Sequence, residues 1–393
     1  MASAFDVVIV GAGAAGLMCA LTAGGRGRRV LLLDHCDEPG KKILISGGGR
    51  CNFTNLQCAP DRFLSDNPHF CRSALARYTQ HDFIALVEKH GIAYHEKTRG
   101  QLFCDGSAKA ILRMLLDECE AASVDLRLGH KISEITKADH FRINTDHGEF
   151  TAPAVVLATG GLSITKMGAS GFSHRIARQF GLPITELRPG LVPLTFADAD
   201  IALMWPLSGV AVDVMARCNT GEFRENMLFT HRGLSGPAIL QISSYWHPGK
   251  DIQIDLLPEL DGMAFLRERK QARPRAELKT VLNEVLPKRL ADSLAERHFA
   301  APRPLGEIAE RDLAALTVTL DGWRLTPSGS EGYAKAEVTV GGVDTTALSS
   351  QTMEAKAVPG LYVIGEAVDV TGWLGGYNFQ WAWSSGWAAG MAV

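Results

Sequence analysis

The residues best suited to chemistry open the chain. Gly11-Ala12-Gly13-Ala14-Ala15-Gly16 follows an apolar run at 6–10, and Asp34 closes a second apolar run at 30–33. The glycine at 11 permits a tight turn, the one at 13 leaves bare backbone for a pyrophosphate, and the one at 16 lets a helix lie close to a strand. The N–H groups of Ala14, Ala15 and Gly16 at the start of that helix would face an anion. A carboxylate at Asp34, roughly 20 residues on, would accept hydrogen bonds from ribose hydroxyls. The chemistry implied is dinucleotide binding; the plainer alternative is a tight turn in an ordinary α/β protein. A second candidate is Arg50-Cys51, behind the triple glycine Gly47-Gly48-Gly49. A thiol of pKa ~8.5 is protonated near neutrality and can act as a general acid, and a guanidinium can stabilise an oxyanion or hold a phosphate. The alternative is that Cys51 only packs and Arg50 only holds the pyrophosphate. His231, in Phe229-Thr230-His231-Arg232-Gly233, is a further acid/base candidate, or a hydrogen-bonded structural residue.

The elements that must position these groups read as follows. Strand, glycine turn, helix, strand is the order of a βαβ unit. A triple glycine cannot sit inside a helix or strand, so 47–49 is a loop that a ligand approaches. Helices are expected at 70–91 and 109–122, and strands at 124–135, 141–145 and 154–158, the last ending in Thr159-Gly160-Gly161. From residue 189 the pattern changes to short spaced strands at 191–196, 209–218, 222–229 and 252–256, which suggest a small barrel or sandwich. A charged helical stretch follows at 258–299, then strands at 315–320, 337–340 and 361–364, and a closing helix near Gly376. The economical division is a dinucleotide domain at 1–188 and 327–393, interrupted by an insert at 189–326 whose helical part spans 258–310.

Composition narrows the class. A chain of 393 residues is too long for one ordinary core, and 46% hydrophobic residues suit a folded protein. A formal net charge of −3 gives no global basic field, but 266–290 holds eight Lys/Arg and three Glu, a local net charge of +5. Those cations, Arg267, Arg269, Lys270, Arg273, Arg275, Lys279, Lys288 and Arg289, could follow an RNA backbone or line a solvated helix face. The eight cysteines show no C-x-x-C spacing, so no metal site is expected and they read as reduced cytosolic thiols. The first strand leaves no room for a signal peptide, and no stretch reaches the roughly 18 apolar residues that span a bilayer, so no membrane partner and a cytoplasmic location are expected.

Five segments carry a family resemblance: the motif at 11–16, Lys42-Ile43-Leu44-Ile45-Ser46-Gly47-Gly48-Gly49-Arg50-Cys51-Asn52, Leu228-Phe229-Thr230-His231-Arg232-Gly233-Leu234-Ser235-Gly236-Pro237, Ala336-Glu337-Val338-Thr339-Val340-Gly341-Gly342-Val343, and Gly372-Trp373-Leu374-Gly375-Gly376-Tyr377-Asn378-Phe379-Gln380-Trp381-Ala382. The chain resembles the BaiN/RdsA-type (YhiN-like) family of FAD-dependent oxidoreductases. The resemblance implies an α/β fold: a Rossmann-like FAD-binding domain with an inserted β-barrel and a small helical subdomain. It implies FAD as cofactor and NADH or NADPH as electron donor. The glycine-ended segments at 159–161 and 365–366 also suit a cofactor longer than NAD. By the same resemblance Lys42, Ser46, Gly47, Gly48, Arg50, Asn52, Ile132, Thr159, Gly160, Gly161 and Gly365 bind the cofactor, Glu366 and Asp369 lie near the flavin side, and Gly375, Gly376, Tyr377 and Asn378 close over it. Trp373, Trp381, Trp383 and Trp387 either pack or stack on the ring. The implied reaction is reduction of a double bond conjugated to a carbonyl, either uridine to dihydrouridine in 23S rRNA or a steroid-like enone. Hydride would go to one carbon and a proton from Cys51 or His231 to its neighbour. A flavoprotein without turnover, a sensor or assembly factor, is the alternative from a different class.

Overall fold

Val7–Val10 is a run of β-branched residues with no polar face, and all four are buried. Such a strand needs cover on both sides, which a parallel sheet provides. It is the middle strand of a five-stranded parallel sheet ordered Leu361–Val363, Ala154–Leu157, Val7–Val10, Val30–Leu33, Asp125–Arg127. Helix Ala14–Gly25 connects the middle strand to Val30–Leu33. The chain then returns on the other side of Val7–Val10, so the strand order reverses between that strand and Ala154–Leu157. Open α/β sheets bind ligands at the carboxyl ends flanking such a reversal. The structure, a computed structural model, describes residues 3–299 and 301–393.

Contacts divide the chain into two units, Met1–Arg188 with Val338–Val393, and Pro189–Glu337. Residues 327–337 go with the second unit rather than with the returning segment, because strand Gly329–Ser330 pairs with Leu194–Thr195. In the first unit, helix Tyr377–Gly390 lies against Ala14–Gly25. A Cβ on Gly386 would stand 2.5 Å from the Ala15 carbonyl, and one on Gly390 2.8 Å from that of Cys19, so both glycines are needed for this approach. The matched order of contacts makes the two helices parallel. This unit also holds smaller sheets: Ser3–Ala4, Gly148–Ala152, Phe141–Thr145 and Ile132–Lys137; Asn52–Asn55, Gln101–Cys104 and Tyr94–Glu96; and the pair Phe63–Leu64 with Thr371–Gly372.

The second unit holds an antiparallel run of seven strands: Trp323–Leu325, Ile252–Asp255, Ala211–Cys218, Gly221–Thr230, Gly233–Ser235, Leu194–Thr195 and Gly329–Ser330. Among the described residues no pairing joins the first strand to the last, so the expected barrel is seen as an open sheet. Helices Gly262–Ala272, Leu278–Leu282 and Lys288–His298 form the charged helical part. The strand expected at 315–320 is instead part of helix Glu310–Gly322. Leu313, Leu316, Thr317 and Leu320 are its buried residues, a helical spacing, whereas Val318, which alternation would bury, is 71% exposed. No described helix is long and apolar enough to cross a membrane.

Candidate dinucleotide and flavin site

The three glycines of the opening motif do three different things. Gly11 has φ +110°, and a Cβ there would lie 2.6 Å from the Ala158 carbonyl, at the end of the neighbouring strand. A Cβ on Gly16 would lie 1.8 Å from the Gly11 carbonyl oxygen, so the helix can sit on the turn only without one. Around Gly13 nothing comes within 4 Å of the Cβ position. That is the bare backbone a pyrophosphate needs, in front of a helix whose first turn has no side-chain cap and no acidic residue. Asp34 is fixed from two sides: its Oδ2 accepts from the Ala12 N–H at 2.7 Å and its Oδ1 from the Cys36 N–H at 2.8 Å. Each oxygen keeps a lone pair for a ribose hydroxyl. These residues fit a dinucleotide.

A polar cluster stands at the carboxyl ends of the central strands. Glu366 follows strand Leu361–Val363, and its Oε2 accepts from the Lys42 ammonium at 2.5 Å. Its Oε1 accepts from the Ser163 hydroxyl at 2.6 Å and from the Thr339 N–H at 2.8 Å. Lys42 also donates to Ser163 at 2.7 Å. Burial acts to raise the Glu366 carboxyl, but Lys42, Ser163 and Thr339 outweigh it and hold the group below its ordinary value. Gly161 must lack a Cβ because Thr339 Oγ1 occupies that position to within 2.4 Å; Gly160, at φ +73°, lies beside it, and Thr159 is tied by its hydroxyl to Ser173 at 2.7 Å. Gly365, φ +64°, donates to Ser385 at 3.0 Å. Ser163 and Thr339 escaped the sequence reading. Ser163 stands two residues past a glycine pair and Thr339 lies in a recognised motif, but neither position signals its partner.

Further along, Gly47, Gly48 and Gly49 take φ of +57°, +67° and +84° in succession. Consecutive left-handed residues turn their N–H groups toward one side, a concavity suited to an anion. The Ser46 hydroxyl donates to the Ile43 carbonyl at 2.7 Å and keeps its acceptor lone pairs. Asn52 joins this loop to the closing segment, its amide oxygen accepting from Gly376 N–H at 3.1 Å and its nitrogen donating to Leu102 and Thr54 carbonyls. Gly375 and Gly376 are both left-handed, with Gln101 and Thr54 where their side chains would be. Asn378 locks the segment by exchanging hydrogen bonds with both backbone groups of Gly372, each 2.8 Å. Tyr377 is buried edge-on against Phe63. By the contacts of Gly386 and Gly390, helix Tyr377–Gly390 starts roughly eight residues, or about 12 Å, ahead of helix Ala14–Gly25 along their shared direction. The two uncapped helix starts are thus spaced for a long cofactor.

Arg50 is exposed, and its guanidinium makes no hydrogen bond or ion pair among the described residues, which leaves the side chain free for a ligand. Cys51 is another matter. Its relative exposure is 0%, its backbone is left-handed at φ +50°, and burial pushes its thiol up to about 12. A side chain with no surface cannot touch a substrate, which argues against the proton-donor reading and for packing. Cys51→Ala is therefore expected to cost about 1 kcal/mol of stability and leave turnover nearly unchanged. A fall of ~100-fold or more, the scale of a lost general acid, would restore the donor role.

Asp369, buried, accepts from the Asp66 N–H at 2.9 Å and from Ser65 at 3.4 Å. Burial pushes its carboxyl up to about 6. A carboxyl raised on folding favours the protonated native state, so this group lowers stability as pH rises from about 4 to about 6, with no further change above. Asp369→Asn is expected to remove that part of the slope in denaturation curves taken at both pH values; an unaltered slope would contradict it. Ile132 is half-buried at the start of strand Ile132–Lys137, outside the parallel sheet. Trp381 and Trp383 are packing residues, their ring N–H groups donating to Gly365 and Phe53 carbonyls and Trp383 stacking on Phe83 at 4.3 Å. Trp387 stacks on Tyr78, and Trp373 carries the Arg62 guanidinium at 4.4 Å.

In the second unit, His231 and Arg232 are the exposed two-residue turn between Gly221–Thr230 and Gly233–Ser235. Much of the basic run is already neutralised. Arg269 pairs with Glu268 and Glu284, Arg273 with Glu284, Arg267 and Lys270 with Glu310, and Lys279 with Glu277. Arg275 and Lys288 are exposed and have no such partner among the described residues. Asp34, His35 and Cys36 lie close enough to share an ion, but Asp34 already holds the glycine turn, and the three adjacent residues carry no metal assignment.

Residues 5–392 match the family described as HI0933-like protein Rossmann domain. The chain is 55% identical over 386 residues to a ribosomal RNA dihydrouridine synthase of Escherichia coli, covering 98% of this chain and 96% of that one. It is 45% identical over 392 residues to the Haemophilus influenzae protein of the same description, covering 98% of each. It is 30% identical over 406 residues to a 3-dehydro-bile acid delta(4,6)-reductase of Clostridium scindens, again covering 98% of each.

Proposed function

This chain belongs to the HI0933-like protein family, and we propose from that premise that it is an FAD-dependent ribosomal RNA dihydrouridine synthase. The single observation that carries the reading is the 55% identity along 98% of the chain to a protein with that activity. The open Gly13 turn, the fixed Asp34 and the offset helix starts support FAD as the cofactor. When bound, reduced FAD supplies the hydride that converts the C5–C6 double bond of uridine. NADH or NADPH is the proposed source of electrons.

This chain's residues then divide the work. Ala14, Ala15 and Gly16 hold the pyrophosphate by backbone N–H groups, and Asp34 holds the ribose. Lys42, locked to Glu366 and Ser163, keeps a fixed positive charge at the strand ends, while Gly47 and Gly48 offer N–H groups. The N–H groups at the start of helix Tyr377–Gly390 favour negative charge on a carbonyl oxygen placed before them. Arg50, unpartnered and exposed, is assigned to the substrate's conjugated carbonyl, where hydride addition to the β-carbon builds negative charge. The α-carbon then takes a proton from a general acid; with Cys51 sealed, His231 is the candidate retained. RNA contact is assigned to the basic stretch, chiefly to Arg275 and Lys288, since ion pairs already offset most of its other cations.

The test is mass-spectrometric mapping of dihydrouridine in 23S rRNA from wild type, a strain lacking this gene and the complemented strain. Loss of one dihydrouridine, restored by the gene, is expected. An unchanged map would sink the RNA substrate. The likeness to a bile-acid reductase would then direct the search to conjugated ketosteroids, read as reoxidation of the reduced flavin.

A further inference from the structure

Trp205 is 60% exposed, an unusual position for so large an apolar ring, yet it is not loosely held. It begins the short turn Trp205–Leu207, flanked by the buried Met204 and Leu207. The Arg289 guanidinium donates to the Pro206 carbonyl and to the Ser208 carbonyl, the latter at 3.2 Å, and so pins this turn to the start of helix Lys288–His298. The His231 ring stands edge-on to the indole, centroids 6.1 Å apart and planes at 86°. His231 sits in a two-residue hairpin turn closed by Thr230, whose hydroxyl accepts from Arg232 N–H at 3.2 Å. The indole is therefore solvent-facing and held among basic residues: Arg289 binds its own turn with Lys288 next to it in the chain, and Arg232, in a loose 3.8 Å ion pair with Glu331, adjoins His231.

A rigid aromatic face with cations around it is the device by which proteins hold unpaired nucleotides, because every base has a π-face and every linkage a phosphate. Resting on the RNA substrate proposed above, we infer that Trp205 and His231 form a stacking platform for an unpaired base of the RNA, with Lys288, Arg289 and Arg232 facing its phosphates. This places RNA contact on a composite of turn, hairpin and helix start, and away from helix Gly262–Ala272, whose cations are spent on Glu268, Glu284 and Glu310. It also gives His231 a defined neighbour and ring orientation.

The test uses the full-length flavoprotein and a short fluorescein-labelled oligouridine, with anisotropy read at several salt concentrations. Trp205→Ala is expected to weaken binding roughly 10-fold at an unchanged salt slope, because a stacking contact goes and the phosphate contacts stay. Trp205→Phe should recover most of the affinity. Lys288→Glu should flatten the salt slope. Flavin content and thermal unfolding should match wild type in each, since these side chains are exposed. Wild-type affinity in Trp205→Ala would overturn the platform. So would a change in elution volume on gel filtration with unchanged RNA affinity, which would make the indole a protein contact. If wild-type protein fails to bind the oligomer and its gene does not affect dihydrouridine, the RNA substrate itself falls; the platform alone fails when wild type binds and Trp205→Ala binds equally well.

Discussion

Gly13→Val should fold like wild type and emerge from purification without flavin. The backbone at Gly13, φ −86° and ψ −170°, suits any residue, and no atom lies within 4 Å of its Cβ position. The added Cβ therefore meets no atom within 4 Å beyond the flanking residues, and the side chain extends into the space assigned to the pyrophosphate. FAD affinity should fall roughly 100-fold or more, about 3 kcal/mol, while chemical denaturation of the apoprotein stays at the wild-type midpoint. Gly16→Ala is the contrasting variant. Its methyl group would stand 1.8 Å from the Gly11 carbonyl oxygen, inside the backbone, and the cost should reach about 3 kcal/mol of stability before any cofactor is added. Titration with FAD followed by flavin fluorescence, beside urea unfolding of each apoprotein, separates the two effects. A Gly13→Val protein that keeps its yellow colour would mean that the pyrophosphate does not lie on this turn.

Lys42→Met carries the second large effect. Glu366 is held ionised by Lys42, Ser163 and the Thr339 amide against a burial that would raise it. Removing the ammonium leaves a carboxylate with two neutral donors. Loss of one partner from a fully buried pair costs 3–5 kcal/mol; with Lys42 38% exposed, about 2 kcal/mol is expected at pH 7. The sign with pH follows from the direction of each shift. In wild type the carboxyl is lowered, so its contribution is present above the unfolded value and is lost as pH falls through the folded one. In the variant burial dominates and the carboxyl rises, so the penalty grows with pH and disappears on protonation. The stability gap should be widest near neutrality and narrow toward pH 4, and Lys42→Met/Glu366→Gln should recover most of it. An equal loss at both pH values would mean that Lys42 acts by packing its stem. Flavin retention should fall in the single variant, because the cluster stands at the carboxyl ends of the strands that flank the glycine turn.

Where the sequence was readable and where it was not follows one physical division. A glycine motif, an apolar strand or a capping glycine is a local object whose conformation is limited by residues a few positions away. The strands Val7–Val10, Val30–Leu33 and Ala154–Leu157, the turn at Gly11, the left-handed run at 47–49 and the start of the last helix at Tyr377 were all legible in that way. The stretch 315–320 was not. Its consecutive β-branched residues Thr317, Val318 and Thr319 have strand propensity, yet burial of Leu313, Leu316, Thr317 and Leu320 on one face of a helix prevails over that preference.

The candidate site divides similarly. The sequence by itself determined that a dinucleotide could bind at Gly11–Gly16, since glycine spacing and backbone freedom need no partner to be read. Only the tertiary structure decided that Lys42, Ser163 and Thr339, which lie 324, 203 and 27 residues from Glu366 in the chain, share its one carboxylate. It alone decided that Cys51 is sealed while Arg50 is free, since one residue's difference in register is invisible until neighbours pack around it. It also divided the basic stretch into cations spent on glutamates and cations left open, and brought Trp205 to His231. Charge, burial and reactivity belong to a side chain's surroundings, and those surroundings come from distant parts of the chain that only folding brings together.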